Sequence, residues 1–312
     1  MIVETIWQPL LCWVMSVGLL SIWKTFFFHK YRHLLHGYKN FVTSTDEATQ
    51  VVSQVLFLVV HLCTLMFPLF NRPKLAAFWY TMRTNVEQLA QTGDGVERLT
   101  ESFKDLKRNM RAQALLILFF PVLAYAMNIF GAFGPGVSQV ENVSQSVSII
   151  FALVGIIWVH NAFFHGSFTL WLSYLIRVQA ICLDFICYRL KNQDTDVNIV
   201  LTESINGFFL VEDISEKFEK TYGSPLLLDF FYNGTIVTFY AYIAMNFVAG
   251  GNLPVVAFAI LGIHMHGQRL FNVCAAAASF LDKMNELQHR MVLLRAKPSR
   301  LPPKICDAVS TP

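Results

Sequence analysis

Six apolar stretches, each about as long as a bilayer is thick, most constrain what this chain can fold into. About 20 apolar residues in an α-helix cross the roughly 30 Å of hydrocarbon in a membrane. Because backbone groups in lipid must find partners within their own segment, each stretch is predicted to be helical. The predicted fold class is therefore an all-α, polytopic transmembrane bundle of about six spans. The stretches are 6–23, 50–70, 112–134, 147–175, 224–248 and 253–276.

The composition agrees with lipid as the solvent. Hydrophobic residues make up 54% of the chain and charged residues 14%, whereas a water-soluble protein carries about 25% charged residues. The net charge of +3 is small and the basic residues are spread over the connections, so no nucleic-acid partner is expected. The stretch 6–23 has neither a basic flank before it nor an Ala-x-Ala site, so it is predicted to be a first span and not a signal peptide.

The placement of Lys and Arg predicts the orientation of the bundle. Nineteen of them lie in 71–111, in 176–223 and after residue 280, whereas four lie in 24–49. The connections richer in Lys and Arg stay in the cytoplasm. Both termini are therefore predicted to be cytoplasmic, in a multi-pass protein of the plasma membrane. The short connection 135–146 is then extracellular, and its Asn142-Val143-Ser144 sequon makes Asn142 a candidate glycosylation site.

The two long connections are predicted to be helical too. Leu99–Met110 and Val211–Phe218 mix charged residues with apolar periodicity, which indicates amphipathic extensions of the spans into the cytoplasm. The predicted organisation is a helical bundle with these extensions over 1–297, followed by a disordered Pro-rich tail over 298–312. Six cysteines without a CxxC pair are interpreted as apolar core residues and not as a disulfide framework.

No catalytic or metal-binding pattern emerges, so neither an enzyme nor a cofactor is predicted. His160 and His165 are five residues apart, and His264 and His266 are two apart; neither spacing places both rings on one face of a helix. These histidines are interpreted as polar contacts between helices or as positions near the membrane interface. Buried ionisable residues, which are typical of pumps, are scarce in the spans; Asp229 is the acidic exception.

The outer halves of the predicted spans carry aromatic and weakly polar residues. Apolar walls with few polar groups suit a small organic ligand, whose binding would come mainly from buried area. Packing between helices is the competing interpretation of each of these residues. The candidate ligand-binding residues are Gln54, Phe57, Tyr125, Asn128, Phe151, Trp158, Tyr240, Tyr242, Asn246 and Phe258.

Three passages of the chain carry the pattern of a known family. The first is Ile6–Leu11, followed by Gly18-Leu19. The second is made of Leu210–Ile214, Lys217-Phe218 and Tyr222–Leu228, and the third is Phe271–Ala278 with Glu286. These passages resemble the start of the first span, the approach to the fifth span and the end of the sixth span of the insect gustatory receptor family, a branch of the insect chemoreceptor superfamily that also includes odorant receptors. Together with the predicted orientation, the resemblance covers most of the chain.

The resemblance implies a receptor subunit that binds a small-molecule tastant or odorant. It also implies a ligand-gated cation channel, assembled as a homo- or hetero-tetramer with related subunits and opened by a ligand bound among spans two to six. The family's seventh, pore-lining span has no counterpart up to Pro312, so we expect a subunit without that segment. An odorant receptor and a non-channel transporter or structural protein remain as alternatives. A G-protein-coupled receptor would need seven spans and an extracellular N-terminus.

Overall fold

A computed structural model describes residues 44–91, 96–133, 145–191, 197–249 and 253–295, and these residues form six α-helices. Within these ranges there is no strand, so the predicted all-α fold is confirmed. The first predicted span, the Asn142 sequon and the tail over 298–312 lie outside the described residues. The helices are α1 (Ser44–Phe70), α2 (Arg72–Gln91), α3 (Val96–Phe133), α4 (Gln145–Lys191), α5 (Val197–Ala249) and α6 (Leu253–Arg295).

Every predicted span from residue 50 onward coincides with a helix, and four of these helices are longer than a span requires. The predicted helices Leu99–Met110 and Val211–Phe218 lie within α3 and α5, so the long connections are helical as expected. α5 continues through Pro225, although proline lacks the N–H that would bond the carbonyl of Thr221.

Two segments with described side chains, Val159–Lys191 and Ile199–Asn246, are long and apolar enough to cross a membrane. Most of the most apolar part of the first is buried within the protein, whereas less than a third of that of the second is buried. A third apolar segment, Leu58–Phe70, is shorter.

The described chain divides into two compact units. Unit 1 contains the described residues of 1–71, Gln113–Thr169 and Ser224–Phe271. Unit 2 contains Arg72–Ala112, Leu170–Gly223 and the described residues after 271, again without the gaps between helices. Helices α3 to α6 each contribute residues to both units.

Unit 1 has an apolar core and an apolar surface. Its core includes Val60, Tyr232, Ile236, Tyr240 and Ala259, all less than a tenth exposed. Large apolar side chains also cover its outer faces. Exposed apolar side chains of this number are compatible with a hydrocarbon solvent, because water-soluble domains rarely expose large apolar patches. The exposed apolar side chains on α3 and α5 include Leu115, Leu118, Phe119, Val122, Leu227, Phe230, Phe231 and Met245.

Unit 2 has an aromatic core and a charged rim. Phe78 is 1% exposed and packs edge-on against Tyr222, with the ring centroids 5.3 Å apart. The rings of Trp79 and Trp171 lie 4.9 Å apart. The buried cysteines Cys182 and Cys187 fit the interpretation as core residues, whereas Cys63 in unit 1 and Cys274 in unit 2 are exposed and do not.

The rim of unit 2 carries a network of ion pairs. Asp184 lies 3.2 Å from Arg98 and 2.7 Å from Lys283, and Lys283 also pairs with Glu286 at 3.0 Å. Arg290 donates to Glu286 at 2.6 Å. These residues belong to α3, α4 and α6, so the network ties the three helices together. Each pair is partly exposed, and its contribution to stability is therefore modest.

The unit 1 core predicts opposite effects for two glycines of α6. A Cβ added at Gly262 would lie 2.6 Å from the Tyr240 ring, whereas one at Gly267 would meet nothing within 4 Å. Gly262→Ala should lower stability by about 1–3 kcal/mol through overpacking. Gly267→Ala is the matched control and should leave stability unchanged or raise it by up to about 1 kcal/mol, because Ala is the better helix former. Thermal unfolding of the purified protein measures both, and equal effects would contradict the observed packing.

The unit 2 network predicts a pH dependence. Hydrogen bonds from Arg290 and Lys283 hold the pKa of the Glu286 carboxyl below its ordinary value of 4.5. A lowered carboxyl pKa stabilises the folded state above the unfolded pKa, and this stability is lost as the pH falls through the folded pKa. Glu286→Gln should therefore flatten the decline of the melting temperature below about pH 4.5. The exposed Glu101→Gln is the control and should leave the acid limb unchanged; identical curves for both variants would refute this role of Glu286.

Candidate functional site

The apolar part of α5 contains one acidic side chain, Asp229, and α4 supplies the groups around it. Asp229 is 3% exposed, and Thr169 donates to its Oδ1 at 2.8 Å. Nε2 of His165 lies 3.1 Å from the same oxygen, close enough for an ion pair although not aligned for a hydrogen bond. A buried carboxylate needs such partners, because its desolvation is otherwise very costly. Residues 165 and 169 are four apart and so lie on one face of α4.

A second set of polar contacts joins α5 to α6. Asn233 lies one turn after Asp229 and donates from Nδ2 to the backbone carbonyl of Asp229 at 2.8 Å. Its Oδ1 lies 2.8 Å from Nδ1 of His266. Because an amide oxygen only accepts, His266 carries a proton on Nδ1 and donates to Asn233. Asn233 is fully buried and His266 is 4% exposed, so water does not compete for these bonds.

Aromatic contacts complete this region of unit 1. The ring centroid of Tyr232 lies 4.6 Å from that of His165 and 5.6 Å from that of His266, edge-on in both cases. The interpretation of these two histidines as polar contacts between helices is confirmed. We call His165, Thr169, Asp229, Asn233 and His266 the polar cluster. All five belong to unit 1 and come from three helices.

The sequence-predicted ligand residues fall into two groups. Six lie on helices but their side chains are outside the described part of the structure: Gln54 and Phe57 on α1, Tyr125 and Asn128 on α3, Phe151 and Trp158 on α4. The other four, on α5 and α6, have described side chains. Tyr240 and Phe258 are brought together, with ring centroids 5.5 Å apart. Tyr242 is half-buried and Asn246 is exposed.

Tyr240 is the member of this set that approaches the polar cluster. It is 8% exposed, belongs to the unit 1 core, and lies 6.0 Å from the His266 ring between centroids. Its ring fills the space left by the missing side chain of Gly262. These contacts give Tyr240 a packing role in the structure described here.

The polar cluster itself was not predicted from the sequence. Asp229 stands out as an acidic residue in an apolar span, and Arg269 stands out as the basic residue of span six. Ionisable residues in such segments are costly and generally have a partner or a function. The α4 partners of Asp229 lie 60 and 64 positions away along the chain, and the carbonyl that Arg269 contacts lies 107 positions away, so only the fold identifies them. Among the described residues, no group of three or more His, Cys, Asp or Glu side chains is placed to hold a metal ion.

Comparison with known proteins gives a match at the level of the fold. No protein-family model and no curated protein matches the chain. A solved structure does match, that of the insect olfactory receptor OR5 from Machilis hrabei, with a TM-score of 0.60 and 14% sequence identity. The match covers 96% of this chain and 77% of the receptor's chain.

This match defines the class of fold. The described helices share the fold of that olfactory receptor's helical structure. More particularly, the likeness is to an insect olfactory receptor, and the resemblance to insect chemoreceptors noted in the sequence is confirmed at the level of the fold. The match is to an olfactory member and gives no support for the gustatory branch over others.

The polar cluster predicts an unequal effect of two asparagine substitutions on α5. Asn233→Leu removes the bond to His266 and leaves buried polar groups unsatisfied, which costs about 1–3 kcal/mol for each such group. The matched control is Asn246→Leu, since Asn246 is exposed on the same helix and should tolerate the change. Thermal unfolding of both variants in lipid nanodiscs measures the difference. Equal melting temperatures would show that the cluster does not stabilise unit 1.

Proposed function

We propose that the chain is a chemosensory receptor subunit of the plasma membrane that binds a small organic ligand of the taste type. The observation that carries this proposal is the fold match to an insect olfactory receptor over 96% of the chain. The apolar outer faces of α3 and α5 in unit 1 support a position in the bilayer. The multi-pass arrangement rests on the six apolar stretches, and the cytoplasmic N-terminus rests on the distribution of Lys and Arg.

In this proposal the subunit acts within a ligand-gated cation channel, as a homo- or hetero-tetramer with related subunits. Apolar side chains exposed on unit 2 support a contact with other subunits. They include Leu281, Val292 and Leu293 near the end of α6, which are more than half exposed. A partly charged, partly apolar surface of this kind is typical of protein interfaces.

The ligand is proposed to bind among the residues selected from the sequence, with Trp158 as its main aromatic contact. Tyr240 is a second-ranking candidate because its ring is already packed against Gly262 and Phe258. An olfactory function is the second candidate for the whole protein, and the receptor whose structure matches favours it. The two functions differ in the ligand, which is a soluble tastant or a volatile odorant. In both, ligand binding opens a cation channel.

The function is tested by expressing the full chain in cells, alone and with related receptor subunits, and by recording cation currents evoked by panels of tastants and odorants. Surface labelling of a tag in 135–146 establishes that the protein has reached the plasma membrane in the proposed orientation. A ligand-evoked current supports the proposal, and the panel that evokes it separates taste from smell. A surface-expressed protein that gives no current with any panel or subunit would contradict it.

Trp158→Ala should raise the half-maximal ligand concentration about tenfold or more while surface expression stays unchanged. The reason is that burying an aromatic side chain against a ligand contributes about 1.5–3 kcal/mol, and about 1.4 kcal/mol is tenfold in affinity. Trp158→Phe is the matched control and should keep most of the response. Parallel loss of response and surface expression would indicate a packing role for Trp158.

A further inference from the structure

Arg269 places a guanidinium inside the apolar part of unit 1. The residue lies on α6 and is 4% exposed. Its Nη2 donates to the backbone carbonyl of Ala162 on α4 at 2.7 Å. The approach is possible because Gly166 has no side chain: a Cβ there would lie 2.8 Å from Nη2. The guanidinium is therefore seated against the α4 backbone by the local sequence.

Most of the donor capacity of Arg269 is unused. A guanidinium has five N–H donors, of which one is on Nε and two are on each terminal nitrogen. Nε and Nη1 of Arg269 are buried and have no hydrogen-bond partner among the described residues. Three N–H groups on a buried cation are thus unsatisfied. Leaving such groups without acceptors in a low-dielectric interior is costly, and native proteins generally supply a partner.

The neighbouring carboxylate does not supply that partner. No hydrogen bond or ion pair between Asp229 and Arg269 is found among the described residues; Thr169 donates to Oδ1 of Asp229, and His165 approaches the same oxygen. The hydrogen-bond acceptor that Arg269 contacts is the backbone carbonyl of Ala162 and not a carboxylate. The described side chains thus supply no acceptor for Nε and Nη1 of Arg269.

The chemistry of the unused donors selects the acceptor. A guanidinium presents its N–H groups in a fixed planar fork that matches the two oxygens of a carboxylate. The carboxylate also supplies the negative charge that a buried cation requires. Aromatic side chains lie in the same unit: the rings of Tyr232 and Tyr240 both contact the ring of His266, three residues before Arg269 on α6. An aromatic acid fits these surroundings better than a small hydrophilic one.

We propose that Arg269 is the anchor of a binding site for small carboxylic acids within unit 1, formed between α4, α5 and α6. The site names a class of ligand for the receptor and in that sense rests on the proposed function. It differs from the predicted outer pocket in its anchoring residue. The carboxylate of the ligand accepts from Nε and Nη1, and its organic part lies among the apolar side chains of unit 1.

The test uses the full chain purified in lipid nanodiscs, with benzoate as the probe and benzamide as its neutral counterpart of the same shape. A ligand that binds only the folded protein raises its melting temperature. Benzoate should raise it and benzamide should raise it less. Arg269→Gln should weaken benzoate binding about tenfold or more, since hydrogen bonds to a charged group contribute at least that factor. Arg177→Gln, at a partly exposed arginine of α4, is the matched control and should keep the full benzoate effect.

Arg269→Lys keeps the charge and loses the fork, so it should fold where Arg269→Gln does not and should still bind benzoate more weakly than the native protein. Equal effects of benzoate and benzamide on the native protein, or no effect of either, would overturn the proposal. So would an undiminished benzoate effect in the Arg269→Lys protein. A benzoate effect that depends on Arg269, in a protein that gives no ligand-evoked current in cells, would uphold the site and reject the receptor function.

Discussion

The carboxylate of Asp229 imposes the constraint on which the rest of unit 1 depends. In an apolar interior its oxygens need nearby polar partners, and two of these come from α4: the Thr169 hydroxyl, which donates to Oδ1, and the His165 ring, which approaches it. The next turn of α5 carries Asn233, which bonds back to Asp229 and across to His266 of α6. Sliding any of the three helices by one residue would separate these groups. Non-directional apolar packing tolerates such shifts, so the polar contacts fix the register of α4, α5 and α6 within this unit.

Unit 2 is held together by a different balance of forces. Its ion pairs are partly exposed, and the best of them, around Asp184, Lys283 and Glu286, compete with solvent. The larger contribution comes from its aromatic core, in which Phe78 packs against Phe218 and Tyr222. One polar contact is more buried: Asn85 donates to the carbonyl of Leu210 at 2.9 Å and so joins α2 to α5. In unit 2, aromatic packing therefore contributes most to holding the helices together, and the ion pairs contribute less.

Length and hydropathy were sufficient to predict the helices, because lipid leaves the backbone few alternatives. Charge and periodicity in Leu99–Met110 and Val211–Phe218 were sufficient to predict helix in the long connections. The sequence did not show that α5 runs unbroken through Pro225, since a proline usually marks a helix end and only the surrounding contacts decide otherwise.

Predicting the site was harder for a geometrical reason. A polar or aromatic residue in an apolar helix can face a neighbouring helix or the lipid, and spacing along one helix does not decide between them. Tyr240 was selected as a ligand contact but packs on Gly262, whereas Asn246, six residues later, is exposed. His165 and Asp229 are 64 positions apart, and the pattern around neither residue identifies the other. The rarity of ionisable residues in such segments was the useful signal.

Apolar positions and buried polar positions are thus restricted to different degrees. This difference explains how the chain can share the fold of an olfactory receptor at 14% identity. Many apolar sequences satisfy the demands of a lipid-embedded helix, so the fold places little restriction on most positions. Buried polar groups are restricted much more strongly, because each needs a partner of the right chemistry at the right distance. In this chain the carboxylate of Asp229 has found such partners within the protein, while the guanidinium of Arg269 has found a single carbonyl. The difference between these two ions, both buried in the same unit, is what distinguishes a structural polar cluster from a site with capacity left for a ligand.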